Sequence, residues 1–490
     1  MTIEMIRIPV PDFEVDGKVD TGHREPAAPP ALASLPLAPK NPLPYRRRLA
    51  AVKSFHTGTE VLRDAGGPVT RFGLGPKWLT PPIVLATSPE AIRDILNVKD
   101  GSVDKKSTVF NELRRIVGEN LASLPDEQWR PRRRTLQPVF TKQRVRQFGG
   151  HMADAAELVA AQWGDDTEID LDAECRKLTM RALGRSILGL DLGEQTDAID
   201  EPLRIAMNYA IGRALRPVRA PSWLPTPSRR RARAAIGRLH HLADEILQAC
   251  RANPDLDAPL VQALIAATDP ITGESLSDKE IRDELIIFIF SGHDTIATTL
   301  TYTLWELGRN PELQERVAAE VAEFGDKTLD SDDAMRLHYT VQVLREGLRL
   351  CPPAPTGTRL ATRDLQVGGY RVEAGTMLAF GRRAVQRDPT LWKDALTFDP
   401  DRFSPTQCAG RDRWQYLPFG GGARSCIGDH FAMLEATLAL ATFIRRVDIR
   451  SLHDDFPLTV HFTMVADGPI GARVYHRRDK SQDKRGHCSL

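Results

Sequence analysis

The stretch Phe419-Gly-Gly-Gly-Ala-Arg-Ser-Cys-Ile-Gly428 decides the fold, and its centre is Cys426. It is followed by Asp429–Arg446, an alanine- and leucine-rich segment that predicts a helix. The first turn of a helix has unpaired N–H groups and the positive end of the helix dipole, which favour a thiolate over a thiol. The glycines let the backbone come close to a flat partner and direct N–H groups at sulfur. The spacing therefore indicates a cysteine thiolate presented to a planar ligand.

These are the requirements of a thiolate bound to haem iron, and Arg424 supplies a cation for a propionate of the same ring. The alternative interpretation is a glycine-rich turn that contains a buried cysteine with no chemical role.

A long helix is predicted from Ser277 to about Gly308. Ser277 and Glu280 have the spacing of a capping box at its start. At 1.5 Å per residue this helix is about 48 Å long and must cross the whole molecule. Its centre nevertheless reads Ser291-Gly-His-Asp-Thr295 between apolar flanks. Small and polar residues at a buried helix centre require an explanation.

The composition is that of a globular protein. The chain has 490 residues, of which 41% are hydrophobic and 27% charged, and its net charge is +1, which argues against wholesale disorder and against a generic nucleic-acid binder. Six cysteines without a CxxC pair fit a reducing compartment. The N-terminus is too acidic for a signal peptide, and the apolar run Leu285–Phe290 is too short to span a membrane. We therefore expect a cytoplasmic protein without a membrane anchor.

Length alone predicts two to four domains at ~100–200 residues each. Residues 1–35 are expected to form an extended or disordered arm, because seven prolines lie between Pro26 and Pro44. Residues 477–490 form a basic, polar tail that we expect to be disordered. Between them, helical spacing dominates from Ala91 to about Asn310, and short strand-like stretches lie near both ends, as at Leu365–Phe380.

The cysteine loop resembles the haem-binding signature Phe-x-x-Gly-x-Arg-x-Cys-x-Gly of the cytochrome P450 family, and it matches every fixed position. The resemblance implies a mainly α fold with small β-sheets, the triangular prism of that family, as a single large domain over residues 36–476. It implies haem b as cofactor and Cys426 as the ligand of its iron. Phe419, Gly422, Arg424 and Gly428 are then cofactor-binding residues.

Three further motifs gain meaning from that resemblance. Glu346-Gly-Leu-Arg349 resembles the family's Glu-x-x-Arg motif, and with Arg402 it implies a buried, structural ion triad. Trp129 and Arg133 lie four residues apart, so they share a helix face and can reach one haem propionate together. The alternative for Arg133 is a solvated arginine run. Arg359 matches the family's other propionate-binding arginine.

The centre of the long helix resembles the family's oxygen-binding motif. Gly292 would let the ring or oxygen approach the backbone, Thr295 would open a groove for water and oxygen, and Asp294 would carry protons to that groove from solvent. We treat His293 as a packing or water-bridging residue. The implied reaction is monooxygenation, in which one atom of O2 enters the substrate. The intact pair Asp294 and Thr295 argues against the alternative haem-thiolate peroxygenase or isomerase; a non-catalytic haem sensor or carrier is the third possibility.

The substrate pocket is expected along segments that the family places over the haem. Their mix of Ile, Phe, Ala and Thr predicts a small apolar substrate such as a lipid, steroid, terpene or polyketide-like compound. Its predicted residues are Ile287, Phe290, Ser291, Thr356, Thr358 and Met464.

Electrons are expected from a separate ferredoxin and its NAD(P)H-fed reductase, because no flavin- or iron–sulfur-binding segment is visible in the sequence. Between Asp126 and Arg146 there are seven basic residues against two acidic ones, a patch that would attract an acidic ferredoxin. A second cluster, Arg229–Arg233, is expected to solvate a helix face. We expect no nucleic-acid partner and a monomer.

Overall fold

The long central helix runs from Asp278 to Arg309 in the structure, which is a computed structural model of the chain. Ser277 caps its first turn, and both hydrogen bonds of the capping box with Glu280 are present. Nearly all of its side chains are buried, so the helix passes through the interior of the molecule, as its predicted length requires. Asn310 ends it, because Pro311 starts the next helix.

The structure describes residues 32–477, except positions 77, 79, 194, 195, 217, 218, 222 and 461. Most of the predicted N-terminal arm and nearly all of the predicted C-terminal tail therefore lie outside the described residues. The helices of the described part are α1 Tyr45–Lys53, α2 Phe55–Gly66, α3 Pro89–Leu96, α4 Thr108–Val117, α5 Asp126–Leu136, α6 Lys142–Arg146, α7 Gly149–Ala160, α8 Leu171–Leu183, α9 Thr196–Ala214, α10 Pro227–Ala252, α11 Pro259–Ala266, α12 Asp278–Arg309, α13 Pro311–Ala322, α14 Ser331–Ala334, α15 His338–Leu350, α16 Arg382–Gln386, α17 Pro405–Cys408 and α18 Asp429–Arg446.

Short strands form small sheets beside the helices. The strands are β1 Val69–Phe72, β2 Ile83–Ala86, β3 Val103–Asp104, β4 Thr167–Asp170, β5 Thr356–Ala361, β6 Leu365–Val367, β7 Tyr370–Val372, β8 Met377–Gly381, β9 Val447–Ser451, β10 Leu458–Val460, β11 Met464–Ala466 and β12 Gly471–His476. The largest sheet has the order β1-β2-β8-β5-β3, with β2 and β8 parallel and the other neighbours antiparallel. Leu37 and Lys40 form parallel bridges to Arg371 and Arg71, so the chain after Pro36 is extended along the sheets.

Two large hydrophobic cores meet at the middle of α12. One contains Ile281–Phe290 from the first half of this helix and packs against α4, α5 and α9–α11. The other begins at Ile296 and packs against α7, α8, α15 and α18. The polar centre of α12 lies at the junction of the two cores. This junction is where the helix faces the loop of Cys426.

The architecture confirms the expected mainly α fold with small sheets, in one domain. The expectation of two to four domains, made from length alone, is wrong, because α12 contributes to both large cores and the C-terminal strand β12 pairs with β4 of the first half of the chain. None of the helices described here is long and apolar enough to cross a membrane.

Candidate functional site

The loop of Cys426 is held by its own backbone. The N–H of Cys426 donates to the carbonyl of Phe419 at 2.9 Å, and α18 begins three residues after the cysteine. Gly422 has a φ of +71°, and a Cβ at this position would lie 1.9 Å from the carbonyl oxygen of Leu96. A side chain at Gly422 is therefore excluded both by conformation and by space.

The thiol of Cys426 lies deep in the molecule but is accessible from a cavity. Burial raises its pKa, although the N–H of Gly428 and the charges of Arg133 and Arg382 act in the opposite direction. The N–H of Gly428 and these two cations therefore offset only part of the cost of burying a thiolate. A coordinated metal ion would remove the thiol proton outright.

The opposite wall of this cavity is the centre of α12. Ser291 and Thr295 line it, and the hydroxyl of Thr295 donates to the carbonyl of Ser291 at 2.6 Å. The helix is continuous through this region. Gly292 lines the cavity as well, and a Cβ at this position would meet Cδ1 of Leu183 at 2.5 Å, so the lack of a side chain there also accommodates a neighbouring helix.

The cavity has a volume of about 340 Å³ and a largely apolar wall. Of the predicted pocket residues, Ile287, Phe290 and Ser291 line it. Thr356 and Thr358 line an adjoining chamber of about 270 Å³. The two spaces share several wall residues, namely Lys105, Ala122, Ala354, Arg382, Phe419, Arg424 and Phe462.

Met464 is not part of the wall. Its side chain is fully buried in the larger hydrophobic core, whereas Phe462 and Thr463 line the cavity. The reason is the hairpin itself: β11 begins at Met464, and the tip that reaches the cavity comes just before it. The ring of Phe462 packs edge-on against Phe290 at 5.7 Å between ring centroids.

Trp129, Arg133 and Arg424 come together at one edge of the cavity. Trp129 and Arg133 both line it, and Arg133 donates to the carbonyl of Ser425 at 3.2 Å. The guanidinium of Arg424 lies 4.4 Å from the centroid of the Trp129 ring and donates to Asp126 at 2.6 Å. The sequence placed these groups together correctly but did not indicate the carboxylate of Asp126.

Three more cations lie close by: Lys105 and Arg382 line both spaces, and Arg359 lines the adjoining chamber. Their hydrogen-bond acceptors are neutral carbonyl groups, that of Ala122 for Lys105, that of Thr358 for Arg359, and those of Ala354 and Thr356 for Arg382. Burial, helped by the neighbouring arginines, lowers the pKa of Arg359 to about 9. Burial also lowers the pKa of Arg382 to about 10 and that of Lys105 well below its ordinary value.

Clustered cations that are withdrawn from solvent and have no carboxylate partner favour an anionic ligand. Arg359, Arg382 and Lys105 form no ion pair with a carboxylate within the described part of the chain. The Cys426 loop and α12 line opposite walls of the cavity, and the cations beside it could accept two carboxylates. The chemistry of these residues therefore fits haem, whose metal Cys426 would bind.

The predicted ion triad lies on the Cys426 side of the molecule, outside the cavity wall. Arg349 and Glu346 are fully buried and make two hydrogen bonds, each of 2.7 Å. Arg402 adds a third charge at 3.4 Å from Glu346. The carbonyl groups of Gln386 and Ala395 both accept hydrogen bonds from Nη1 of Arg349.

Asp294 turns away from the cavity of Cys426. One of its carboxylate oxygens accepts from Arg176 at 3.1 Å, and the other accepts from the hydroxyl of Thr463. It lines a second, polar cavity of about 820 Å³ that also contains Asp172 and Asp200. Asp294 thus connects a polar space on one side of α12 with the helix segment that faces the thiol.

The charged side chains around Asp294 include more carboxylates than cations. Burial would lower the pKa of Arg176, but Asp294, Asp172 and Asp200 together raise it. Burial acts to raise the pKa of Asp200, but His293 and Arg176 lower it to about 2. His293 is fully buried, with Nδ1 2.8 Å from the hydroxyl of Thr179, so it packs in a polar network rather than binding a ligand.

Sequence reasoning did not assign the roles of four residues of this site: Lys105, Arg176, Arg382 and Thr463. Lys105 and Arg382 each precede a second basic residue, and nothing in the sequence shows which member of each pair faces the cavity. Arg176 and Thr463 lie 118 and 169 positions from the Asp294 that they contact. Only the packing of α8 and of the C-terminal hairpin against α12 brings them there.

The predicted basic patch between Asp126 and Arg146 is largely neutralised. Its members pair with acidic residues: Arg130 with Asp126, Arg132 with Glu280 and Glu284, Arg134 with Asp269, and Arg146 with Asp332. Arg132 is moreover buried. The net charge counted along the sequence therefore overstates the charge of this surface, because its carboxylate partners come from α12, α14 and a loop. Lys142 and Arg144 remain exposed.

Comparison with known proteins identifies relatives over most of the chain. The family profile for Cytochrome P450 matches residues 38–472. Cyclooctatin synthase of Streptomyces melanosporofaciens is 33% identical over 425 residues, which cover 86% of this chain and 90% of that protein. Pentalenene oxygenase of Streptomyces avermitilis is 31% identical over 423 residues, 85% of this chain and 89% of that protein.

Similarity extends to animal proteins and to a solved structure. Cytochrome P450 4F8 of Homo sapiens is 29% identical over 431 residues, which cover 81% of this chain and 82% of that protein. The crystal structure of the cytochrome P450DA haem domain superposes with a TM-score of 0.79, covering 91% of this chain and 98% of that chain. At 24% identity, this structure shows the fold alone.

Proposed function

Because the chain belongs to the cytochrome P450 family, we propose that it oxidises an apolar, terpene-class substrate with electrons from a separate ferredoxin. The enzyme is a cytochrome P450 monooxygenase, and haem b is its cofactor. Substrate class, electron source and a cytoplasmic location go beyond that membership. Free thiols such as the buried Cys175, Cys250 and Cys351 support a reducing compartment.

The substrate proposal is supported by the side chains that line the cavity. Opposite Cys426 it consists of Ile287, Phe290 and Phe462, with Ser291 and Thr295 as the polar groups of α12. A cavity wall of this kind favours a hydrocarbon skeleton with few polar groups. Relatives named cyclooctatin synthase and pentalenene oxygenase support a terpene within this class.

When bound, haem supplies the activation of O2, and its thiolate ligand increases the electron density at the metal. Cys426 would provide that thiolate. Trp129, Arg133, Arg359 and Lys105 would hold the propionates and so fix the ring in its plane. The protein's remaining task is to orient the substrate and to deliver protons on the side of α12.

Thr295 and Asp294 lie on different sides of α12 and would have different roles in proton delivery. Thr295 presents its hydroxyl in the cavity of Cys426, and Asp294 faces the polar cavity on the other side. Asp294 is held by a salt bridge with Arg176 and a hydrogen bond from Thr463, and by a side-chain rotation it can carry a proton from water in that cavity toward α12. The hydroxyl of Thr295 can then pass a proton into the cavity.

The proposed ferredoxin would meet the Cys426 side of the molecule. Lys142 and Arg144 are exposed on α6 and support an acidic partner, although the pairing of their neighbours makes the expected attraction modest. Association should weaken as the salt concentration rises, and replacing both residues by Gln should remove much of that dependence. Association that is insensitive to salt would contradict the proposed partner.

The function is tested by spectral titration followed by turnover. We expect cyclic sesquiterpenes and diterpenes to shift the ferric haem from low to high spin, and fatty acids and steroids to do so more weakly. Turnover of the best ligand with O2, a ferredoxin and its reductase should give one oxygenated product. Product formation with peroxide alone, but not with O2 and ferredoxin, would contradict the electron source, and spin shifts restricted to charged ligands would contradict the substrate class.

A further inference from the structure

A pocket of about 400 Å³ lies between α9, α10 and the loop that joins them, away from the cavity of Cys426. Five arginines line it: Arg213, Arg216, Arg219, Arg229 and Arg231. Asn208, Tyr209, Thr226 and Ser228 also line it. The catalytic site described above uses none of these residues.

The sequence around the pocket contains no acidic residue that could balance this charge. Residues 202–243 include nine arginines and no Asp or Glu. One pocket arginine, Arg213, pairs at 2.8 Å with a carboxylate from a different helix, Glu112 of α4. The arginines of the patch between Asp126 and Arg146 differ, because most of them have a carboxylate partner of their own.

Arg229 is part of the packed wall of the pocket, which corrects our expectation for this residue, whereas Arg230, Arg231 and Arg233 are exposed on the helix as expected. Its guanidinium is buried and donates to the hydroxyl of Tyr209 and to the carbonyl groups of Ala220, Pro221 and Leu224. All four acceptors are neutral, so a buried cation holds the loop without a counter-charge. Such a site favours an anion in the adjoining pocket.

The exposed rim of the pocket combines positive charge with an aromatic side chain. Arg216, Arg219 and Arg231 are exposed. On the loop held by Arg229, Trp223 is 77% exposed and Leu224 is 40% exposed. Arginines beside an exposed tryptophan are typical of a surface that binds anionic phospholipid head groups.

We propose that the arginine pocket binds the phosphate group of an anionic ligand, in addition to the proposed oxidation at the haem site. A phosphate offers several acceptor oxygens, which match the fork of donors that each guanidinium presents. The phosphate can belong to an anionic phospholipid head group or to a soluble phosphate ester, and the exposure of Trp223 favours the phospholipid.

The test uses the haem-loaded enzyme and two probes. Vesicles of phosphatidylglycerol and phosphatidylcholine, compared with phosphatidylcholine alone, are assayed by co-sedimentation, and inorganic diphosphate is assayed by calorimetry. The variant is Arg216→Gln with Arg231→Gln, which spares the buried Arg229 that holds the loop. Its matched control is Arg230→Gln with Arg233→Gln, which removes the same amount of charge from positions on α10 outside the pocket.

We expect affinity for at least one probe to fall roughly tenfold in the pocket variant and less than about twofold in the control. Vesicle binding that also requires Trp223, tested as Trp223→Ala, identifies a phospholipid as the source of the phosphate, and binding of diphosphate without vesicle binding identifies a soluble ester. Equal losses in the two variant pairs, or no binding of either probe by the wild type, would overturn the proposal. The spectrum of the reduced carbon monoxide complex verifies in every variant that the haem site is intact.

Discussion

Two groups of buried arginines lie on either side of the Cys426 loop, and they differ in charge balance. Around Glu346, the cations Arg349 and Arg402 have a carboxylate within 3.4 Å, and backbone carbonyls accept their other N–H groups. Beside the cavity, by contrast, Arg359 and Arg382 donate to backbone carbonyl groups and pair with no carboxylate in the described part of the chain. The balanced cluster is complete without a ligand, whereas the unbalanced one requires an anionic ligand. Burial of an arginine therefore does not reveal its role until its partners are known.

The largest expected effect comes from breaking the balanced cluster. Glu346→Gln leaves Arg349 buried without a counter-charge and should lower the free energy of unfolding by about 3–5 kcal/mol. Urea denaturation measures the free energy of unfolding, which should be lower in both the haem-free and the haem-loaded variant than in the wild type. Asp401→Asn, which breaks the exposed pair with Arg316, is the control and should cost less than about 1 kcal/mol. A small effect of Glu346→Gln would show that the triad does not support the fold.

The opposite result is expected from the unbalanced cluster. Arg359→Gln removes a buried cation that lacks a carboxylate, so the unfolding free energy of the haem-free protein should be unchanged or higher. Release of haem to an excess of a haem-binding acceptor should be roughly ten- to a hundredfold faster, because a charge-assisted hydrogen bond is lost. Arg363→Gln, an exposed arginine four positions away, is the control. Destabilisation of the haem-free protein with normal haem retention would place Arg359 among the structural arginines.

A third buried cluster, around Asp294, has an excess of carboxylates and should affect proton delivery rather than binding. Thr295→Ala removes the hydroxyl on the cavity side of α12. We expect O2 consumption to continue while product formed per O2 falls at least about tenfold and peroxide is released instead. Thr295→Ser should restore most of the coupling. Normal coupling in Thr295→Ala would contradict the role assigned to this hydroxyl.

A smaller effect is expected from Thr463, which holds one oxygen of Asp294 from the hairpin tip. Thr463→Val should reduce coupling several-fold and increase the solvent isotope effect, since Asp294 loses one of its two partners. Thr463→Ser should behave like the wild type. In an Asp294→Asn background the Thr463→Val change should have no further effect on coupling. Additive losses in the double variant would mean that Thr463 acts independently of Asp294.

The elements that local chemistry determines could be predicted from the sequence. The capping box at Ser277 predicted the start of α12, and the cysteine loop predicted the start of α18. Local spacing also predicted that Glu346 lies beside Arg349 and Trp129 beside Arg133, because residues three or four positions apart share a helix face.

Properties that depend on distant partners could not be predicted. Met464 was expected in the pocket, but Phe462 and Thr463 line it, since they form the hairpin tip that comes before β11, whereas Met464 is the first residue of that strand and is buried in the core. Arg132 was predicted to belong to a basic surface patch, but it is buried and donates a hydrogen bond to Glu284, 152 positions away. Charge balance is a property of the folded molecule and not of a segment.

The central claim is that Arg359, Arg382 and Lys105 are unbalanced because they bind the two propionates of haem. Titrating the haem-free protein with haem and with its dimethyl ester, which lacks both negative charges, tests this claim directly. We predict that the ester binds at least about a hundredfold more weakly to the wild type, and that the difference shrinks in Arg359→Gln. Equal affinities for the two compounds in the wild type would contradict the claim.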